Sequence, residues 1–113
     1  MKITAALIAS RDPVVGQSEA FRRVFGDGPA RITDEIALDH AETFDWPFLA
    51  EEFLSDAGLE KYYAAEKKAE REWQAAERKI DVADKIGNQT AYVKYQRALA
   101  RAFAEIYSKE NPE

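Results

Sequence analysis

Every third and fourth residue from Leu59 to Gly87 falls into one stripe: Leu59, Tyr62, Glu66, Ala69, Trp73, Ala76, Ile80, Ala83 and Gly87. This spacing sets the residues along one side of an α-helix. Tyr63 and Ala65 widen the stripe at its start, Val82 and Ile86 at its end, and most other positions are charged. A second segment, Thr90 to Tyr107, repeats the pattern with Tyr92, Tyr95, Leu99, Ala102, Phe103 and Ile106. Gly87-Asn88 lies between them, so the chain is expected to form a long helical hairpin that turns there. Asn88 or Thr90 would cap the second helix.

The seam of this hairpin is thin. Ala65, Ala69, Ala76, Ala83, Ala91, Ala98 and Ala102 let two backbones approach closely but bury little area, and Glu66 interrupts the apolar run. A helix of roughly 30 residues extends ~45 Å, more than the diameter expected of a 113-residue globule. The tip is therefore expected to project or to be covered by another chain. A third helix would supply the missing apolar surface, from the N-terminal half or from a second copy. A homodimer is one expected arrangement.

Ahead of the hairpin the punctuation is dense. Thr4 can cap a short helix through Ser10, ending before Pro13; a strand at Lys2 to Ile8 is the alternative. Gln17 to Phe25 carries Ala20, Phe21, Val24 and Phe25 on one face, and Gly26-Asp27-Gly28-Pro29 stops it. Thr33 is an N-cap with Asp34 and Glu35 in the first turn, where the helix dipole favours them. Ile36, Ala37, His40, Ala41 and Phe44 continue at helical spacing. Asp45 can cap the next helix and Pro47 suits its first turn. Phe48, Leu49, Phe53 and Leu54 form the face of that helix, and Ser55-Asp56-Ala57-Gly58 ends it and can cap the long one. The expected architecture is all-α, a single domain over residues 1–113. In it, a compact bundle of three or four short helices (1–54) packs on a long two-helix antiparallel hairpin (55–109). Trp46 and Trp73 are the expected structural anchors, since each large apolar side chain buried contributes ~1.5–3 kcal/mol.

Composition narrows the function. Hydrophobic residues are 46% and charged residues 33%, a globular balance. The formal net charge of -5 argues against bulk affinity for nucleic acid or an anionic membrane. With no cysteine there is no disulfide, thiolate metal site or cysteine nucleophile, which suits a cytoplasmic setting. No apolar run approaches the ~20 residues needed to span a bilayer. Met1 to Ser10 resembles a signal peptide only superficially, having one Lys and a short apolar stretch with Arg11-Asp12-Pro13 directly after. It reads as the first folded element.

The chemistry-bearing residues are scattered. His40 is the single histidine, and its i-4 and i+4 neighbours are Ile36 and Phe44, which cannot ligate a metal. The serines lie in no Gly-x-Ser-x-Gly elbow, Gly26 and Gly28 lack a phosphate-loop context, and adjacent Glu51 and Glu52 point ~100° apart on a helix. No catalytic residue, metal site or cofactor is expected. Two charge patterns stand out instead. Lys94, Arg97 and Arg101 line one face of the last helix near Tyr92 and Tyr95, which fits either a nucleic-acid contact or ion pairing with Glu70, Glu77 or Asp84 on the neighbouring helix. Asp34, Glu35, Asp39, Glu42, Glu51 and Glu52, with Asp45 and Asp56, form an acidic run without lysine or arginine. Such a face can dock on a basic, nucleic-acid-binding site of another protein.

Gln17-Ser18-Glu19-Ala20-Phe21, Phe25-Gly26-Asp27-Gly28, Ile32-Thr33, His40-Ala41 and Phe44-Asp45-Trp46, in this order, resemble the N-terminal region of a group of small phage and prophage proteins. In that group a Gln-x-x-x-Phe helix precedes a Phe-Pro-x-Gly turn, an Ile/Val-Thr helix start and an Asp-Trp pair. Ala/Tyr-rich helical repeats often follow, which Tyr63-Ala64-Ala65 to Trp73-Gln74-Ala75-Ala76 resembles. The similarity spans about residues 3–54 and departs at Gly16, often Cys in the group, and at Gly26, often Pro. It implies a phage-related origin and assigns no catalytic residue. The expectation is a non-enzymatic protein–protein interaction protein in the host cell cytoplasm, inhibiting a host or anti-phage defence factor such as a CRISPR effector. A nucleic-acid-binding accessory protein and a virion assembly protein are the alternatives.

Overall fold

The computed structural model describes residues 2–11, 15–79 and 85–112. Among the described residues the regular structure is helical, with no strand. They form α1 (Ala5–Arg11), α2 (Val15–Phe25), α3 (Asp34–Asp39), α4 (Trp46–Phe53), α5 (Asp56–Lys79) and α6 (Lys85–Glu110). The ends follow from local chemistry. Thr4 Oγ1 accepts from the Leu7 amide at 3.1 Å, which settles the first element as a helix. Gly26 terminates α2 with φ 76°, a left-handed conformation that favours glycine, and its amide closes on the Arg22 carbonyl at 2.8 Å. Thr33 and Asp45 cap α3 and α4 through their side-chain oxygens, and Pro47 sits in the first turn of α4.

Two boundaries differ from the sequence expectation. The helix begun at Thr33 stops at Asp39 instead of running on to Phe44. His40 shares its amide between the Ile36 and Ala37 carbonyls, and Thr43 bonds back to His40. The tightened turn leaves the Ala41 carbonyl free to accept from Trp46 Nε1 at 3.1 Å. Gly87-Asn88 is not the hairpin turn: both residues lie inside α6, which begins at Lys85. A glycine costs a helix interior only about 1 kcal/mol, which the packing of a 26-residue helix outweighs. The seam positions Ile80, Val82 and Ala83, and the pairing candidate Asp84, lie outside the described residues.

α5 and α6 run antiparallel. At one end Glu110 accepts from the Ser55 amide at 2.9 Å and from the Ser55 hydroxyl, whose oxygen in turn accepts from the Gly58 amide at 3.0 Å. Toward the other end Trp73 stacks on Tyr95 at 4.9 Å between ring centroids. The short helices clasp the first of these ends. A run of aromatic rings, Phe25, Phe21, Phe44, Trp46 and Phe103, carries the core from α2 into α6 at centroid spacings of 4.6 to 5.8 Å. Tyr107 closes the join: its hydroxyl accepts from the Ile3 amide at 3.0 Å and donates to the Ala30 carbonyl at 3.1 Å. Ala30 also donates to the Ile3 carbonyl, so two extended segments meet on one helical side chain.

The far half of the hairpin is thinly covered. Beyond Tyr62 on α5 the buried residue is Ala69, and before Leu99 on α6 it is Ala91, among the described residues. The molecule measures 45 × 28 × 25 Å. Its long dimension fits the 24 residues of α5, ~36 Å of helix, projecting past the clasp.

Candidate functional site

The structure separates the residues of the acidic run. Asp34, Glu35 and Asp39 lie on α3 and Glu42 in the turn after it. Asp34 faces Arg101 at 3.8 Å, while Glu35, Asp39 and Glu42 are exposed. Glu51 and Glu52 belong to α4 and take different partners. The Glu52 carboxylate lies 3.8 Å from Arg11, whose guanidinium also donates to the Glu52 carbonyl. Glu51 instead accepts from the Tyr63 hydroxyl at 3.2 Å, on the hairpin.

The basic residues of α6 are also partly engaged. Arg97 donates to the Leu38 carbonyl at 3.2 Å, and Arg101 donates to Glu105 at 3.1 Å besides facing Asp34. Arg101 thus pairs with α3 and with its own helix instead of with Glu70 or Glu77 across the hairpin. Lys94 remains in a shallow groove of about 490 Å³ with Lys68 and Glu72, over a floor of Ala65, Ala69, Ala98 and Ala102. Exposed pairs of this kind contribute ~0–1 kcal/mol each. Their main effect is to fix α3 against α6.

The two tryptophans sit in different settings. Trp46 is buried at the centre of the core with its indole N–H bonded. Trp73 is half-buried on the outer hairpin, between Tyr92 at 5.4 Å and Tyr95 at 4.9 Å. Its Nε1 is shielded from solvent and has no hydrogen-bond partner.

On the same side of the hairpin the fold assembles a cluster that spans three elements. Tyr62, Glu66, Glu70 and Trp73 follow at helical spacing on α5, Tyr95 joins from α6, and Glu51 enters from α4. Tyr62 is fully buried, and its hydroxyl also lacks a hydrogen-bond partner. Burial pushes the Tyr62 hydroxyl well above the ordinary tyrosine range, with Glu66, Tyr95, Asp45 and Glu51 adding to the effect. Glu66 is half-buried. Burial raises its carboxyl above the usual carboxylate range, and the nearby Glu70 and Glu51 raise it further. The Tyr62 hydroxyl opposes this shift without reaching hydrogen-bonding geometry. Tyr95 is raised by burial and then by Glu66, Glu70 and Tyr92. The signal for this cluster in the sequence was Glu66, the charged residue within an apolar stripe. The approach of Glu51, fifteen positions earlier, depends on α4 packing against α5.

His40 is half-buried, with its ring 6.0 Å from that of Phe44. Among the described residues no three His, Cys, Asp or Glu side chains converge closely enough to hold a metal ion. Among those residues, no helix is long and apolar enough to cross a membrane. What the hairpin does present is aromatic surface, with Tyr92 45% and Tyr63 38% exposed and the Glu51 carboxylate bonded to Tyr63. No protein-family model, curated protein or solved structure matches this chain.

Proposed function

We propose that this is a non-enzymatic protein-binding protein that engages its partner with the outer half of the α5–α6 hairpin. The observation that carries the reading is the Trp73–Tyr92–Tyr95 cluster, which lies beyond the clasp of the short helices. Tryptophan and tyrosine dominate binding energy at protein interfaces when a partner excludes water around them. A thin alanine seam gives the hairpin little reason of its own to carry three aromatic rings at this level. The flanking carboxylates suit a basic partner surface. The resemblance of residues 3–54 to small phage proteins points to a host or defence factor as that partner, a CRISPR effector being one kind. Occupying a basic nucleic-acid site there would inhibit it.

The test is affinity capture from host lysate with the unaltered protein and with Tyr92→Ala, quantified by mass spectrometry. A partner retained by the former and depleted at least ten-fold by the latter is the expected result. Equal capture by both, with the variant's fold intact by circular dichroism, would contradict the reading.

A further inference from the structure

We propose that Glu51, Glu66 and Glu70, with the rings of Tyr63 and Tyr95, form a receptor for an arginine side chain of a protein partner. The proposal rests on the reading of the outer hairpin as a docking surface and adds the chemistry of what docks. Three observations support it.

The first is uncompensated charge. Glu70 and Glu51 both raise the carboxyl of Glu66, and none of the three has a cationic partner within 4.0 Å among the described residues. Like charge beside the half-buried Glu66 disfavours its ionised form in the free protein. A cation inserted among them relieves that cost, so the differential favours binding. The second is the buried and unpartnered Tyr62 hydroxyl, which lies in the field of Glu66, Tyr95 and Glu51. Unsatisfied buried polar groups are rare and call for an explanation. If Glu66 turns to grip a guanidinium from above, its second oxygen is left for the hydroxyl beneath. The third is the aromatic lining. Tyr63 is anchored by its bond to Glu51 and keeps its ring exposed, and Tyr95 is braced by stacking on Trp73.

Arginine fits this combination better than the other cations. Its planar guanidinium stacks on aromatic faces and forks onto carboxylates in pairs. An ammonium is a compact point charge that uses neither property fully. A metal ion needs closely converging ligands, and the carboxylates do not converge in that way.

The experiment needs no partner. The protein contains two tryptophans, so two indole N–H resonances appear in a ¹⁵N correlation spectrum. That of Trp73 reports on the cluster and that of Trp46, bonded in the core, serves as the control. The full chain is titrated at constant ionic strength with N-acetyl-arginine amide and, separately, with its uncharged isostere N-acetyl-citrulline amide. Saturable movement of the Trp73 signal by the arginine probe alone, with Trp46 unmoved, is the expected result. Glu66→Gln combined with Glu70→Gln should weaken that response at least ten-fold, whereas Glu35→Gln combined with Asp39→Asn should leave it unchanged. An unmoved Trp73 signal, an equal response to citrulline, or equal losses in the two double variants would each overturn the receptor. An unaltered Trp46 signal in the variants shows that the fold is kept. Failure here alongside depleted capture by Tyr92→Ala would remove the arginine assignment and leave the hairpin as the docking surface. Failure of the capture experiment would remove the surface itself.

Discussion

Two residues carry consequences out of proportion to their size. A helical glycine replaced by alanine usually gains roughly 0.5–1 kcal/mol. Gly58 should reverse that sign. It is buried at the start of α5, and a methyl group there would run into the Glu110 carboxylate and come within 3.0 Å of Ile106 Cγ2. Glu110 could move, but only by releasing Ser55 and the cap it forms. Gly58→Ala is expected to destabilise by about 1–2 kcal/mol, read as a lower urea midpoint. On a Glu110→Ala background most of that loss should vanish, since the competing group is gone. Glu66 makes the opposite prediction. Its carboxyl is raised by burial and by Glu70 and Glu51, with the facing Tyr62 hydroxyl in partial opposition. A raised acid favours the folded state when protonated, and that stability is lost as pH rises through the raised value. Glu66→Gln should therefore be more stable than the unaltered protein at pH 7. The advantage should shrink as the pH falls through the raised value towards the ordinary carboxylate value, and stay level below it. A thermal melting series across pH would show it, and a constant difference would contradict it.

At the scale of elements, the caps were legible because their chemistry is local. Thr33, Asp45 with Pro47, and Gly26 each act within a few residues, and each does in the structure what its type requires. The Gly87-Asn88 turn and the helix through Phe44 were misread for the converse reason. Helix packing carried α6 through a glycine, while the bond from Trp46 to the Ala41 carbonyl accompanies an early end to α3. Neither constraint appears in a window of adjacent residues. The division of labour along α6 gives a testable contrast. Phe103 is fully buried between Trp46 and Tyr107, whereas Tyr92 is 45% exposed. Phe103→Ala is expected to cost ~3–5 kcal/mol, a large part of the stability of a small domain. Tyr92→Ala should cost no more than about 1 kcal/mol. Comparable losses in the two chemical denaturation curves would mean that the outer aromatic cluster belongs to the core.

For the whole molecule, the periodicity of the sequence specified a helical hairpin with short helices against it, and that is the architecture. The candidate site was only half legible. Glu66 stood out as a charge within an apolar stripe, but its neighbours Glu51 and Tyr95 come from α4 and α6 and meet it only through tertiary packing. The acidic run looked like one face because its residues are close in sequence. The fold gives Asp34, Glu52 and Glu51 separate partners in Arg101, Arg11 and Tyr63, and leaves Glu35, Asp39 and Glu42 exposed. The resulting molecule has a well-packed clasp and an outer hairpin whose aromatic surface is unfinished, and the central claim is that a partner finishes it. Hydrogen exchange on the complex with the captured partner tests this most directly. The account predicts slowed exchange along residues 63–77 of α5 and 88–96 of α6, with α3 unchanged. Protection confined to α3 and the turn through Glu42, with the outer hairpin exchanging as in the free protein, would contradict it.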